Sequence, residues 1–213
     1  MKYIKYTYVD AATKRPVSEE PARRGPMHPE GVTPTFALEE TFSSGVPVFY
    51  GIADDDYQLP NWMNEETGYG EVTHDEFFQL LKAEFNRRSR VKRKAVEVGG
   101  IYVDGTYISS SIESQNRIAN MVSFLESSPE TLEINYQVRP DGWVVITGDQ
   151  AKGIGVALGQ HVQECFNWCK SINDQVAEIE TLEDAGVVSR AIASWGGTTF
   201  SQQPEEEEFV DVV

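Results

Sequence analysis

His161, Cys165 and Cys169 stand four residues apart in turn, which on a helix lines an imidazole and two thiols along one face. That donor set suits zinc, but a zinc centre takes four ligands, usually drawn from loops or from two elements. Only His28 and His74 remain as further histidines. Both cysteines also fall on apolar heptad positions, where small side chains pack, so packing is the expectation. Gly148, Gly153, Gly155 and Gly159 follow an apolar strand pattern, yet Leu158 stands where a G-x-G-x-x-G phosphate cradle needs its third glycine. Close approach of a helix to a sheet accounts for these glycines better. Ser89-x-x-Lys92 lacks companion motifs, and neither G-x-S-x-G nor H-E-x-x-H occurs. Asp54, Asp55 and Asp56 with Glu65 and Glu66 miss the glycine and terminal glutamate of a calcium loop. The expectation is a protein that is not an enzyme and needs no cofactor or metal.

Charge is more informative. The chain has 213 residues, with 18 Lys+Arg against 34 Asp+Glu, a formal net charge of −16. Phosphate backbones and anionic lipid repel such a chain, so neither nucleic acid nor membrane is expected as a partner. No apolar run approaches the length of a membrane span, and residues 1–10 hold no secretory core. Two cysteines exclude a disulfide scaffold and suit a reducing compartment. Six of the 18 cations, Arg87, Arg88, Arg90, Lys92, Arg93 and Lys94, fall within eight positions. Two readings stand: a solvated helix end whose cations complement the helix dipole, or a docking site for an acidic protein segment. Glu205 to Glu208 is one such segment within the chain.

These residues must be positioned by an α+β chain. Residues 1–72 read as β-rich. Residues 2–9 alternate as a half-buried strand, with Ile4, Tyr6 and Tyr8 on one face and Tyr3 and Lys5 on the other. Prolines and glycines over 11–32 predict an extended arm. Phe36 to Phe42 and Val46 to Ile52 read as strands joined across Ser43-Ser44-Gly45. The capping box Thr73-x-x-Glu76 opens a linking helix from 74 to about 95, with Phe77, Leu81 and Phe85 at helical spacing.

Residues 98–192 repeat an order of hairpin and helix. Asp104-Gly105 between apolar β-formers signals a two-residue hairpin, and Ser110-x-x-Glu113 opens a helix that carries Ile118, Met121, Val122 and Leu125 on one face. The second pass runs from the strand Leu132 to Val138, through Pro140-Asp141-Gly142, to the box Thr147-x-x-Gln150. Two such units predict a four-stranded antiparallel sheet under two helices. The last helix, over about 149–182, carries Leu158, Val162, Cys165, Cys169, Ile172, Val176 and Ile179 as a heptad seam. That seam pairs either with a second copy of the chain or with the helices at 74–95 and 112–127. Residues 193–213 read as a flexible acidic tail.

Gly99 to Gly105, Ser114-Gln115, Asp141 to Val144 with Ile146-Thr147, and His161 to Phe166 resemble a phage-tail-associated domain family of unknown function, over roughly residues 88–192. Its members occur with tail fibres and tail-fibre assembly proteins, and it offers no active residues to carry over. The resemblance implies a bacteriophage protein made in the host bacterial cytoplasm that works by binding a tail-fibre or other tail protein. Two roles follow: an assembly chaperone that can stay on the fibre, or a virion subunit of the fibre, baseplate or collar. The surface candidates are the six cations of 87–94, the seam residues Val162, Cys169, Ile172 and Val176, and the aromatics Tyr3, Tyr6 and Tyr8.

Overall fold

The computed structural model describes residues 1–9, 28–39, 41, 47–128, 133–138 and 142–201. Most of the expected arm, the Ser43-Ser44-Gly45 turn, Pro140-Asp141 and the acidic segment Glu205–Glu208 lie outside the described residues. The α+β expectation holds, with N-terminal strands and C-terminal helices. The chain divides into two compact units, Met1–Glu84 and Phe85–Val213.

The first unit is built on strands β1 (Lys2–Tyr6), β2 (Thr33–Ala37), β3 (Phe49–Ala53) and β4 (Gly70–Val72). They form one sheet in the order β2-β3-β1-β4, with β1 antiparallel to both its neighbours. Pro34 sits on edge strand β2, where a missing N–H costs no ladder bond, and the register shifts between Pro34 and Phe36. The alternation of β1 is as read, but both faces are covered. Ile4 and Tyr6 enter one core with Phe49, Ala53 and Met63. On the opposite face Tyr3, Phe36 and Tyr50 meet Phe77, which opens helix α1 (His74–Glu97). Thr73 starts that helix as expected, its hydroxyl accepting the Glu76 N–H at 3.1 Å. Tyr6 is fully buried with its hydroxyl 2.8 Å from His28 Nδ1. It is therefore a core residue and not the surface aromatic that was expected.

The second unit begins with the later turns of α1. Strands β5 (Ile101–Val103) and β6 (Thr106–Ile108) follow, then α2 (Ile112–Ser127), β7 (Glu133–Val138), β8 (Gly142–Thr147), α3 (Gly148–Ala177) and α4 (Leu182–Ser194). Asp104 and Gly105 have φ of 48° and 75°, the two positive values that the β5–β6 turn demands. The predicted four-stranded sheet is corrected: β5–β6 and β7–β8 are separate two-stranded ladders. Three-residue strands offer few ladder bonds, and the outer edge of β5 is engaged elsewhere, Tyr102 N–H donating to the Phe200 carbonyl at 2.7 Å. Both hairpins share one apolar core of Ile101, Ile108, Ile118, Leu125, Ile146 and Leu158.

The helix starts and stops also refine the reading. Ser111, not Ser110, caps α2 by accepting from Ser114 N–H. Thr147 and Gln150 close the expected reciprocal box on α3. α3 ends at Ala177, short of the predicted 182, and a second box between Thr181 and Asp184 opens α4. Gly155 faces Val122 and Ile118 of α2 at ordinary contact distance, while a methyl at Gly153 or Gly159 would meet open space. Helix-on-helix approach at one glycine replaces the helix-on-sheet approach expected for four. Residues 195–201 are not a loose tail: Trp195 stacks on Trp168 with ring centres 3.8 Å apart, and Thr198 is buried.

Candidate interaction surface

The basic run occupies the later turns of α1, and helical geometry divides it between two faces. Ser89 points inward, its hydroxyl 3.1 Å from Asn173 Oδ1 and 3.7 Å from Cys169 Sγ, both on α3. One turn on, Arg93 forms an ion pair with Glu97 and lays its guanidinium 4.4 Å from the centre of the Phe166 ring. Arg93 is thus committed to the fold, contrary to its expected place on the partner face. Arg88 lies 5.9 Å from the Phe85 ring centre, and Arg87, Arg88 and Lys92 are half-buried. Arg90 and Lys94 are exposed one turn apart. Val91, 57% exposed, lies beside Arg90, and Val98, 39% exposed, follows one turn after Lys94. The outward stripe is therefore mixed cation and valine.

The seam on α3 reads differently in three dimensions. Cys165, Cys169, Ile172, Val176 and Ile179 are buried inside the unit. α1 covers this side through Ser89, and α4 packs along α3 with Ala185, Val188 and Ile192 buried. Cys169, Ile172 and Val176 are therefore internal packing, and the expected self-association seam is corrected: a second copy would meet them only after these helices had separated. Val162 is the half-exposed member and lines a groove of about 800 Å³ between α2 and α3.

The histidine and cysteines are internal as well. His161 is fully buried; its Nε2 lies 3.1 Å from the Glu97 carbonyl oxygen and its Nδ1 lies 2.6 Å from Thr198 Oγ1. A carbonyl only accepts, so Nε2 donates, and Nδ1 of a neutral ring accepts from the threonine hydroxyl. The Ser110 hydroxyl donates to the same carbonyl at 2.6 Å and accepts the Gly100 N–H at 2.8 Å. The last turn of α1 is thus closed by two side chains on one oxygen, which supplies partners a helix end lacks. Among the described residues no cluster of three or more metal-ligating side chains occurs.

Cys165 and Cys169 are both free and buried. Burial, and after it the nearby Glu97 carboxylate, push the Cys165 thiol up to about 11. The folded thiol keeps its proton where an unfolded one, near 9.0, has lost it. Its contribution to stability is full below that lower value and is lost as pH rises through the higher one. At pH 8 iodoacetamide is expected to leave Cys165 unmodified in the native protein and to label it in urea. Mass-spectrometric detection of native labelling at the unfolded rate would refute this.

Trp143 and Val145 were not singled out by the sequence, yet both are large apolar side chains left in solvent, and Trp143 is the most exposed large apolar side chain among the described residues. Trp143 is 68% exposed and Val145 57%. The register sets them opposite Gln137 and Asn135 on the outward face of the hairpin, while Val144 and Ile146 turn inward. β8 bonds to β7 alone among the described strands. The available signal was the run Trp143-Val144-Val145-Ile146, apolar on both faces where a half-solvated strand would alternate with polar residues. Near Trp143, a polar cleft of about 500 Å³ is lined by Ser111, Glu113, Arg117, Asn135 and Gln137. Among the described residues no helix is long and apolar enough to cross a membrane.

Residues 80–193, more than half of the chain, match the model of a family described as a domain of unknown function (DUF4376). The matched stretch spans the one in which the resemblance was read, and its description carries no functional or phage assignment. No curated protein and no solved structure matches the chain.

Proposed function

This chain belongs to the DUF4376 family of unknown function, and from that premise we propose that it acts by binding another polypeptide, as a chaperone for bacteriophage tail-fibre assembly. The observation that carries the binding role is the outward face of β8. A tryptophan and a valine stand in solvent on a strand with one unbonded edge among the described strands, an arrangement suited to an added β-strand. Tryptophan is a frequent anchor of interfaces because it buries a large, rigid, amphipathic area. The chemistry-bearing side chains support the same reading, since His161, Cys165 and Cys169 are engaged in internal packing. The phage assignment is supported by the resemblance of the hairpin, cap and helix motifs. The proposal assigns the protein a binding role and no catalytic residue.

The test pairs the full-length protein with the C-terminal region of the tail-fibre polypeptide from the same phage genome. Trp143→Ser with Val145→Thr is expected to weaken capture by about 30-fold or more, equivalent to roughly 2 kcal/mol at one anchor. Both sites are exposed, so thermal unfolding should stay within about 0.5 kcal/mol of the parent. Undiminished capture would overturn the role of β8, and failure of the parent protein to bind any tail-fibre fragment would overturn the assignment. Recovery of the protein from purified virions would identify it instead as a tail subunit.

A further inference from the structure

We infer that the polar cleft beside Trp143 is a saccharide site, which takes an uncharged pyranose ring or a short chain of such rings with the indole as its stacking platform. The cleft encloses about 500 Å³, within the range of small-molecule sites. Two elements of the second unit wall it. The β7–β8 hairpin contributes Asn135, Gln137 and Trp143, and α2 contributes Glu113, Ser114 and Arg117.

Charge narrows the class of ligand. Glu113 and Arg117 are the charged side chains of the lining, and they pair with each other one turn apart on α2. Their charges cancel, so an ionic ligand meets no unmatched counter-charge there. Amides and hydroxyls carry the remaining polarity. Asn135 and Gln137 lie two residues apart on the exposed side of β7, and each amide holds donors and an acceptor in one plane. Neighbouring hydroxyls of a sugar present the matching pairs of donor and acceptor. On the other wall the Ser109 hydroxyl donates to Ser111 at 3.3 Å, and Ser111 donates to Ser114 at 3.0 Å. Ser111 Oγ also accepts the Ser114 N–H at 3.2 Å, so the cap of α2 fixes these hydroxyls before a ligand arrives.

The indole supplies what the polar groups lack. A pyranose ring is polar at its rim, but its axial C–H groups form an apolar patch. Trp143, 68% exposed, stands directly opposite Gln137 across the ladder, and such cross-strand neighbours have β-carbons about 5 Å apart. An aromatic face and an amide therefore meet the C–H patch and the hydroxyl rim from adjacent positions. Met121 and Tyr136 add apolar surface to the lining. A wholly apolar ligand would strip water from the amides and serines without replacing its hydrogen bonds. A purely polar one would leave the indole in solvent. A sugar ring satisfies both walls.

Proton–nitrogen NMR spectra of the full-length protein test this, with cellobiose, maltose, lactose and diacetylchitobiose as probes at millimolar concentration. At least one of the four is expected to shift the Trp143 indole N–H and the Asn135 and Gln137 side-chain amides saturably, with Trp62, Trp168 and Trp195 unmoved. Asn135→Ala with Gln137→Ala, both at exposed positions, is expected to weaken that binding tenfold or more. Retention on a resin that carries the same sugar through its reducing end marks the ligand as part of a longer glycan, and binding of the free sugar alone marks a soluble one; either supports the site. No saturable shift with any of the four, the same shifts with glycerol, or indifference to the double substitution would each overturn the inference. A protein that captures the tail-fibre fragment but responds to no sugar would overturn this site and leave the proposed function standing.

Discussion

Replacing His161 by alanine is expected to lower the stability of the second unit by about 4 kcal/mol. The imidazole is fully buried and joins three pieces of chain: its own helix α3, the Glu97 carbonyl that closes α1, and the Thr198 hydroxyl. Alanine leaves a cavity as large as the ring, and the cavity alone costs about 2–3 kcal/mol in a well-packed site. The Thr198 hydroxyl loses its acceptor while 4% exposed, which adds about 1–2 kcal/mol for an unsatisfied buried group. Glu97 fares better, since Ser110 still donates to its carbonyl. Thr198→Val removes one hydrogen bond without opening a comparable cavity and should cost about 1 kcal/mol. Urea unfolding followed through the Trp168–Trp195 stack reads both variants in the right unit. A loss below about 1 kcal/mol for His161→Ala would show that the junction is not held as described.

Gly51→Val is expected to disrupt the first unit, at a cost of about 3 kcal/mol or more. Gly51 lies within β3, an inner strand of the four-stranded sheet, paired with Ile4 on one side and Pro34 on the other. A β-carbon there would stand 2.5 Å from the Thr33 carbonyl oxygen and 2.8 Å from Val32 Cγ1. The first of these atoms is backbone, so no rotamer change relieves the contact, and β2 must shift out of register. Overpacking of this kind commonly costs about 1–3 kcal/mol, and lost β2–β3 ladder bonds add to it. Hydrogen exchange should show β2 and β3 amides opening first in the variant, with the second unit unchanged. Native protection across β2 in Gly51→Val would refute the close approach.

The signals that were legible are local ones. Asp104-Gly105 announces a turn because both residues tolerate positive φ, and that constraint involves no distant atom. Thr147 and Gln150 announce a helix start because each satisfies the other's backbone N–H. The Thr181–Asp184 box is the same device with a shorter acid, but Ile179 keeps the heptad spacing across the break and hides it. Ser110 and Ser111 are chemically alike, and only the Gly100 and Glu97 backbone groups that surround Ser110 decide which of the two caps α2.

The site follows the same division. That the cations of α1 crowd into 87–94 is plain from the sequence, and so is the acidity of residues 205–208. Which cations face solvent is not, since Arg93 turns inward only because Glu97 and Phe166 wait for it there. The run Trp143 to Ile146 hints at a strand apolar on both faces, but that Trp143 and Val145 are the exposed pair is decided by the β7–β8 register and by Val144 and Ile146 turning into the core. The sequence by itself determined the element order, the turn chemistry and the charge imbalance, because those depend on neighbours a few residues away. Tertiary structure alone decided that the α3 seam is internal, that the hairpins stay separate and that His161 is a junction. Each of these depends on which surfaces meet across dozens of residues, and many arrangements of the same elements satisfy the same local rules.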